Sequence, residues 1–298
     1  MIHSLPFTPY PVERTTHDCP LCGENEATEI SQTDRRFKTN THVKCDACGM
    51  VRQHPLPSES ALADYYRHYY RSDYQKQVEP SQKHIKKRIK EATRRFDRLS
   101  GELPTKAAIV DFGCGSGEFI QLSVARGHTA GGFEPGQGYA RYARDVAGLD
   151  VECVGWQDYK PKQPADAVTT FHVFEHLVNP VDAFAKAVSW LNDDGLVYIE
   201  VPNIARSLAR KGFGCLHFAH TLGFGRFSLE LLGAVNGFGV VQVFDDYDIG
   251  LVLRKGGARK LADIRADSVQ ELNDWNLTTV RRQYWDYTAS KILPWRRK

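Results

Sequence analysis

The sequence predicts an α/β fold whose mainly parallel sheet carries a ligand pocket, preceded by a small metal-binding module. Apolar runs and helical patterns alternate from Thr105 onward, and this alternation is typical of β-α-β units. Two Cys-x-x-Cys pairs precede this region, and a tyrosine-rich and basic segment joins the two parts. We therefore expect four parts, namely a metal module over residues 1–60, a linker over 61–104, an α/β domain over 105–257 and a helical, basic tail over 258–298.

A glycine-rich turn follows the first predicted strand, residues 109–112, which contains Asp111. Gly113, Gly115 and Gly117 come next, and glycine allows both a sharp turn and the close approach of a ligand. Glu118 stands where a dinucleotide-binding fingerprint needs its third glycine, and no Gly-Lys-Ser/Thr phosphate-binding motif is present. The turn therefore predicts a nucleoside pocket in which no phosphate has to be held.

The second predicted strand, residues 129–133, ends at Glu134. A carboxylate about 20 residues beyond a glycine loop is placed to accept hydrogen bonds from two ribose hydroxyls. Ser228 is expected to cap a helix that runs to residue 234. Further strands are predicted at 151–154, 165–171 and 196–201, an antiparallel hairpin at 237–244 and 250–254, and helices at 118–126, 137–147 and 181–191.

Four cysteines form the pattern of a structural zinc site. Cys19 and Cys22 make one pair, and Cys45 and Cys48 make the other. Four thiolates at this spacing suit tetrahedral zinc and leave no open position for catalysis, although a redox dithiol is the alternative. The remaining cysteines, Cys114, Cys153 and Cys215, are expected to be small buried hydrophobes.

The linker contains tyrosines over residues 64–70 and a basic amphipathic helix over residues 83–99. The tyrosines could cap the pocket. The basic faces either are solvated or form a footprint for an anionic acceptor such as nucleic acid, a nucleotide-linked sugar or a lipid surface. The predicted apolar stripe consists of Ile85, Ile89, Ala92, Phe96 and Leu99, and the basic faces carry Lys86, Lys87, Arg88, Lys90, Arg94, Arg95 and Arg98.

Together, the Asp-x-Gly-x-Gly-x-Gly turn, Glu134, Phe-His-Val-Phe-Glu-His before Asn-Pro, and Val-Pro-Asn at 201–203 resemble class I S-adenosylmethionine (SAM) methyltransferases with an amino-terminal zinc ribbon. The resemblance implies a Rossmann-like, seven-stranded mixed sheet whose last strand is antiparallel, with SAM as cofactor and zinc as a structural ion. It also implies that Asp158 accepts the adenine amino group, flanked by Trp156 or Gln157, and that His172 lies beside SAM. The predicted SAM-binding residues are Asp111, Gly113, Gly115, Gly117, Glu134, Asp158 and His172.

A subset of zinc-ribbon methyltransferases methylates carbon atoms of nucleotide-bound deoxysugars through a Tyr-x-Glu-His motif. Here His220 matches the histidine of that motif, while His217 replaces the tyrosine and Ala219 replaces the glutamate. We therefore expect methyl transfer to a small hydroxylated acceptor, such as a sugar, glycan or lipid-linked intermediate, with His220, His176 or His217 as general base. His172 is a further candidate, and Glu175 could bind magnesium.

Two other functions stay open at this point. The zinc ribbon and basic helix could hold RNA in an RNA methyltransferase, or the chain could be a non-catalytic SAM-binding or zinc scaffold protein. A net charge of +3 on 298 residues does not by itself indicate a nucleic-acid binder.

Residues 1–11 lack a signal-peptide pattern and no run of about 18 apolar residues is present, so a cytoplasmic location is expected. The helical stretch 261–275 and the basic, tryptophan-bearing end either pack on the domain or contact a membrane surface.

Overall fold

The computed structural model describes residues 5–69 and 79–292, so Tyr70, Trp295 and the terminal basic run lie outside the described residues. The strands are, in chain order, β1 (Arg14–Thr15), β2 (Ala27–Thr33), β3 (Thr39–Cys45), β4 (Val51–Gln53), β5 (Leu56–Pro57), β6 (Ala108–Phe112), β7 (Thr129–Phe133), β8 (Val151–Glu152), β9 (Ala165–Phe171), β10 (Leu191–Pro202), β11 (Leu222–Gly223), β12 (Phe238–Asp245) and β13 (Asp248–Lys255). The helices are α1 (Glu59–His68), α2 (Gln82–Leu99), α3 (Glu118–Ala125), α4 (Gln137–Arg141), α5 (Pro180–Val188), α6 (Ile204–Lys211), α7 (Arg226–Ala234), α8 (Leu261–Glu271) and α9 (Leu277–Ile292).

The main sheet has seven strands in the order β12-β13-β10-β9-β6-β7-β8. Five adjacent strands, β10, β9, β6, β7 and β8, are parallel to one another. Strand β13 is antiparallel to both β10 and β12. The predicted Rossmann-like mixed sheet with an antiparallel last strand is thus confirmed. Strand order reverses beside β6, and ligands of such sheets bind at the carboxyl ends of the strands at this point.

Several predicted boundaries hold and others need correction. Strand β8 ends at Glu152 instead of residue 154, and α5 spans Pro180–Val188 instead of residues 181–191. Strands β7 and β9 have the predicted limits, and α4 continues as a π-helical turn to Val146, as the single predicted helix requires. Strand β10 begins at Leu191 instead of residue 196, with an irregular register between Leu191 and Leu196. Gly225, not Ser228, caps α7, because Ser228 occupies the third helical position and its Oγ accepts from the Gly225 amide at 2.9 Å.

The amino-terminal module shares its sheet and its core with the rest of the chain. Strands β2, β3 and β4 form a sheet that β11, from the region after β10, completes by pairing with β4. Leu21, Met50 and Leu56 belong to the same apolar cluster as Phe112 of β6. The module therefore packs against the main sheet, because it has few apolar residues with which to build a core of its own.

Helix α8 packs against the second cysteine pair. Ser268 Oγ donates a hydrogen bond of 2.8 Å to the carbonyl of Cys48, and a Cβ at Gly49 would lie 2.4 Å from the Ser268 carbonyl oxygen. In α9, the ring of Tyr284 stacks on Phe213 at 3.8 Å between centroids. The described part of the tail is thus a packed helical pair, which is one of the two predicted alternatives. No helix within residues 5–69 and 79–292 has the length and apolar character needed to cross a bilayer.

Helix α2 departs from its predicted amphipathic pattern at two positions. Ile85, Ala92, Phe96 and Leu99 are buried as predicted, but Ile89 is 44% exposed. Arg95, assigned to a basic outer face, is only 5% exposed. The buried face of α2 therefore excludes Ile89 and includes the guanidinium of Arg95.

Candidate active site

The glycine turn forms one wall of a cleft of about 1080 Å³ at the carboxyl ends of β6, β7 and β9. Gly113, Gly115 and Gly117 have φ angles of 74°, 59° and 83°, which other residues adopt only with strain. A Cβ at Gly113 would also lie 2.7 Å from Cγ2 of Val173. The alternating glycines are thus needed to bring the backbone to the cleft surface.

Glu134 is held at this wall by two backbone amides. Its Oε2 accepts from the Gly115 N–H at 3.1 Å and its Oε1 accepts from the Gly136 N–H at 2.9 Å. The side chain lines the cleft and is 7% exposed. Because each carboxylate oxygen can accept more than one hydrogen bond, Glu134 keeps the capacity to accept bonds from a ligand.

Asp111 lies beneath the same turn. It is 3% exposed, and Thr169 on the neighbouring strand donates a hydrogen bond of 2.8 Å to its Oδ1. Burial raises the pKa of Asp111 to about 7, and the Thr169 hydrogen bond opposes part of that rise. Its charge therefore changes near neutral pH.

The remaining predicted SAM-binding residues also reach the cleft. Trp156, Gln157 and the exposed Asp158 line it from the loop after β8. His172 follows β9 with a φ of 59°, and its amide donates to the Glu200 carbonyl at 2.8 Å. Six of the seven predicted residues therefore border one cavity, and Gly117 does not line it, since a Cβ there would point at Leu149. The individual roles of all seven stay predictions.

A cluster of histidines surrounds Glu175 at the other end of the cleft. Glu175 Oε1 lies 3.5 Å from His172 Nδ1, 3.8 Å from His176 Nε2 and 3.9 Å from His220 Nε2. Glu175 follows β9 in a short 3-10 turn, lines the cleft and is 2% exposed. Thr221 holds the segment that contains His220 beside the segment that contains Glu175, because its Oγ1 donates to the Leu177 carbonyl at 2.7 Å.

The pKa values of the groups in this cluster are shifted in different directions. Burial alone would raise the pKa of Glu175, but the neighbouring His176 and His172 outweigh burial and lower it. Burial would lower the pKa of His172, but interactions with Asp248 and Glu175 raise it to about 9. Burial and then the neighbouring histidines lower the pKa values of His217 and His220 well below the usual range. Those two imidazoles are thus held in their neutral form at pH 7.

The linker and the amino-terminal module both contribute to this end of the cleft. Tyr66 of α1 lines it, and its hydroxyl lies 2.6 Å from His176 Nδ1. Arg35, His42 and Val51, from the metal module, line it as well. The sequence pattern predicted that the tyrosines could cap the pocket, but it gave no signal that the module forms part of the pocket wall.

A buried ionic network below the cleft was missed by sequence reasoning. Glu200 is fully buried in β10 and contacts three arginines of α2: Arg95 at 2.6 Å, Arg94 at 2.8 Å and Arg98 at 3.5 Å. Burial would raise the pKa of Glu200, but Arg95 and Arg94 lower it. These three arginines hold α2 on the sheet, so they contribute little to the predicted footprint for an anionic acceptor.

The four paired cysteines meet as the zinc prediction requires. Their sulfur atoms lie within 4.8 Å of one another, with Cys19 and Cys48 3.5 Å apart and Cys22 and Cys45 3.6 Å apart. All four are free thiols, and this donor set and spacing fit a tetrahedral zinc ion. The expectation of burial for the other cysteines holds for Cys114, holds only in part for Cys215, and fails at Cys153, which is exposed because it follows β8 at the edge of the sheet.

Comparison with known proteins places this site in a family. The family model described as "Methyltransferase domain" matches residues 83–243, more than half of the 298 residues. The chain therefore belongs to this family and carries a class I SAM-dependent methyltransferase domain. A search of curated protein sequences finds no match.

One solved structure superposes with a TM-score above 0.5 and shares this fold, and others are similar to a lesser extent. Magnesium protoporphyrin IX methyltransferase from Synechocystis PCC 6803 with bound SAH superposes with a TM-score of 0.53 at 14% identity, covering 67% of this chain and 100% of that one. A SAM-dependent methyltransferase from Clostridium acetobutylicum ATCC 824 has a TM-score of 0.46 at 11% identity, covering 64% and 97%. The O-methyltransferase NcsB1 from neocarzinostatin biosynthesis, with SAM and a naphthoic acid, has a TM-score of 0.47 at 14% identity, covering 57% and 56%.

Proposed function

We propose that the protein transfers the SAM methyl group to a small hydroxylated acceptor of the sugar or glycan class, including lipid-linked intermediates. The observation that carries this proposal is that the glycine turn and the Glu175–histidine cluster open into one cleft. The first matches a site for the methyl donor, and the second offers proton acceptors for an alcohol.

Each end of the cleft has a proposed task. Glu134 would bind the ribose hydroxyls, Asp158 the adenine amino group, and the turn from Gly113 to Gly117, with Asp111 and His172 nearby, the methionine part. SAM, when bound, supplies a methyl group whose carbon–sulfur bond breaks, with its electron pair going to sulfur, as the acceptor's lone pair bonds to that carbon. The protein chiefly aligns these atoms.

Acceptor activation falls to the histidines of the cluster. We propose that His220, His176 or His217 takes the proton that the acceptor hydroxyl loses, because a neutral imidazole beside the acceptor is a suitable general base. His42, a fully buried histidine whose Nδ1 contacts the Asn40 carbonyl at 2.9 Å, lines the same end and would help to bind hydroxyl groups.

The paired cysteines have a structural task in this proposal. Cys19, Cys22, Cys45 and Cys48 would hold zinc and thereby fix the strands that carry His42 and Val51 into the cleft wall. We place the protein among soluble enzymes of the cytoplasm. RNA methylation has less support, because Glu200 occupies Arg94, Arg95 and Arg98 of the basic helix.

The test combines binding with turnover. Calorimetry should detect SAM binding, and incubation of the protein with methyl-labelled SAM and sugar or glycan fractions should yield a labelled product by mass spectrometry. Substituting His220→Ala, His176→Ala and His217→Ala together should lower turnover by about 100-fold or more while SAM still binds. Unchanged turnover in that triple variant, or label found only in RNA, would contradict the proposal.

A further inference from the structure

The carboxylate of Glu175 is buried without a hydrogen bond among the described residues, and the nearest imidazole nitrogen, His172 Nδ1, lies 3.5 Å from its Oε1 as an ion-pair partner. The Glu175 side chain is 2% exposed, and within the described parts of the chain neither Oε1 nor Oε2 has a hydrogen-bond partner. A buried polar group left unsatisfied costs about 1–3 kcal/mol, and more if it is charged. Such an atom in a folded protein points to a partner that binds there.

Imidazole nitrogens surround this carboxylate at the spacing that a shared metal ion would give. The donor atoms of Glu175, His176 and His220 lie within 4.8 Å of one another, and Glu175 Oε1 lies 3.8 and 3.9 Å from the two Nε2 atoms. Ligands bound at about 2.0–2.2 Å to one tetrahedral or octahedral ion lie roughly 3–4 Å apart. Hydrogen-bonded pairs would be closer.

The orientation of His176 supports the same reading. Its Nδ1 lies 2.7 Å from the Ala219 carbonyl and 2.6 Å from the Tyr66 hydroxyl. With the proton on Nδ1 donated to the carbonyl, Nε2 is the unprotonated nitrogen, and it lies 3.8 Å from Glu175 Oε1. Histidines that bind metals almost always have their other ring nitrogen fixed by a backbone carbonyl or carboxylate in this way.

We propose that Glu175, His176 and His220 bind a divalent transition-metal ion at the acceptor end of the cleft, separate from the four-cysteine site. One carboxylate and two imidazoles favour zinc, manganese or iron over magnesium, which prefers oxygen ligands. The inference rests on the proposed function and refines it: the ion would orient the acceptor oxygen and increase the acidity of its hydroxyl. His217 is then the remaining candidate base.

Cobalt(II) distinguishes the two metal sites in the full-length protein. Cobalt bound by four cysteines gives intense sulfur-to-metal charge-transfer absorption, whereas cobalt at a histidine–carboxylate site gives only weak visible bands. We expect the metal-free wild type to show both signals on titration. His220→Ala and Glu175→Gln should weaken the second signal by at least about tenfold, while His84→Ala, another histidine lining the cleft, should retain it.

Two further readouts separate the proposal from its alternatives. Tyr66→Phe should weaken the second site by about 10–100-fold, because the Tyr66 hydroxyl orients His176. The charge-transfer band, unchanged in every variant, shows that the chain is folded. Cobalt bound by cysteines alone, or a second signal that persists in both His220→Ala and Glu175→Gln, would overturn the site.

Methyl transfer assayed with and without a chelator distinguishes this inference from the proposed function. Transfer to a hydroxylated acceptor that continues at full rate after the second ion is removed refutes the role of the metal and leaves the proposed function standing. A second ion that binds as expected, in a protein that methylates no hydroxylated acceptor, supports the site and refutes the proposed function.

Discussion

At the scale of single residues, Glu134 is positioned before any ligand binds, because the amides of Gly115 and Gly136 fix both of its oxygens. Glu134→Gln preserves the shape of the side chain but removes the charge. Hydrogen bonds to charged groups contribute about 1.5–3 kcal/mol, so we expect SAM to bind roughly 10–100-fold more weakly by calorimetry. Glu152→Gln, an exposed change on the neighbouring strand, is the control. Equal SAM affinity in both variants would remove Glu134 from the binding site.

Asp111 predicts a pH dependence for SAM binding. Its pKa is raised to about 7 by burial, so the carboxyl is protonated below and ionised above this pH. The ionised form favours a sulfonium cation. The affinity for SAM should therefore fall several-fold from pH 8 to pH 6, within the limit of tenfold per pH unit.

Asp111→Asn isolates this contribution. Asparagine keeps an oxygen that can accept the Thr169 hydrogen bond, but it does not titrate. Calorimetry of this variant should show a flatter pH profile between pH 6 and 8, with any remaining slope due to SAM itself. A slope equal to that of the wild type would exclude Asp111 as the titrating group.

At the scale of elements, the four-cysteine group predicts that the amino-terminal module is stabilised by a bound zinc ion. Cys45→Ser should release the metal and lower the melting temperature by about 10 °C or more, because structural zinc supplies much of the folding free energy of such modules. Metal analysis and thermal unfolding measure the two effects. Cys153→Ser, an exposed cysteine outside the site, is the matched control. A zinc content in Cys45→Ser equal to that of the control would contradict a four-cysteine site.

The sequence predicted elements better than it predicted contacts between them. Strands β7 and β9 were predicted to the residue, because each is a short run bounded by glycine, proline or polar turns. The glycine turn was recognisable because its residues are consecutive. The Glu175 cluster was not, since Glu175 and His220 are distant in sequence and meet through the contact of Thr221 with Leu177.

The local sequence pattern also assigned one residue of α2 to the wrong face of the helix. Arg95 lies among basic residues and resembles part of a solvated face, but its partner Glu200 lies in β10, where periodicity within α2 carries no information. The same limit applies to β11, a two-residue strand that joins the metal module. Contacts of this kind are set by tertiary packing.

At the scale of the whole molecule, Glu200 joins the linker helix to the centre of the main sheet. Replacing one partner of a buried ion pair is costly, because the remaining charge stays buried with less compensation. We expect Arg95→Ala to lower the free energy of unfolding by about 3 kcal/mol in urea, with Arg94 and Arg98 limiting the loss. Lys87→Ala, on the same helix with an exposed partner in Glu91, should cost less than about 0.5 kcal/mol.

Acid unfolding gives an independent check on this network. The arginines hold the folded-state pKa of Glu200 below its ordinary value. The ion pairs between Glu200 and these arginines therefore stabilise the protein in full when the pH is above the ordinary pKa. This contribution is lost as the pH falls through the folded-state pKa. Without Arg95, Glu200 protonates at higher pH, and the acid midpoint should move upward relative to both wild type and Lys87→Ala. An unchanged midpoint, even with reduced stability in urea, would mean that Arg95 stabilises the fold through packing on Phe171, which its guanidinium covers at 4.4 Å, and not through charge.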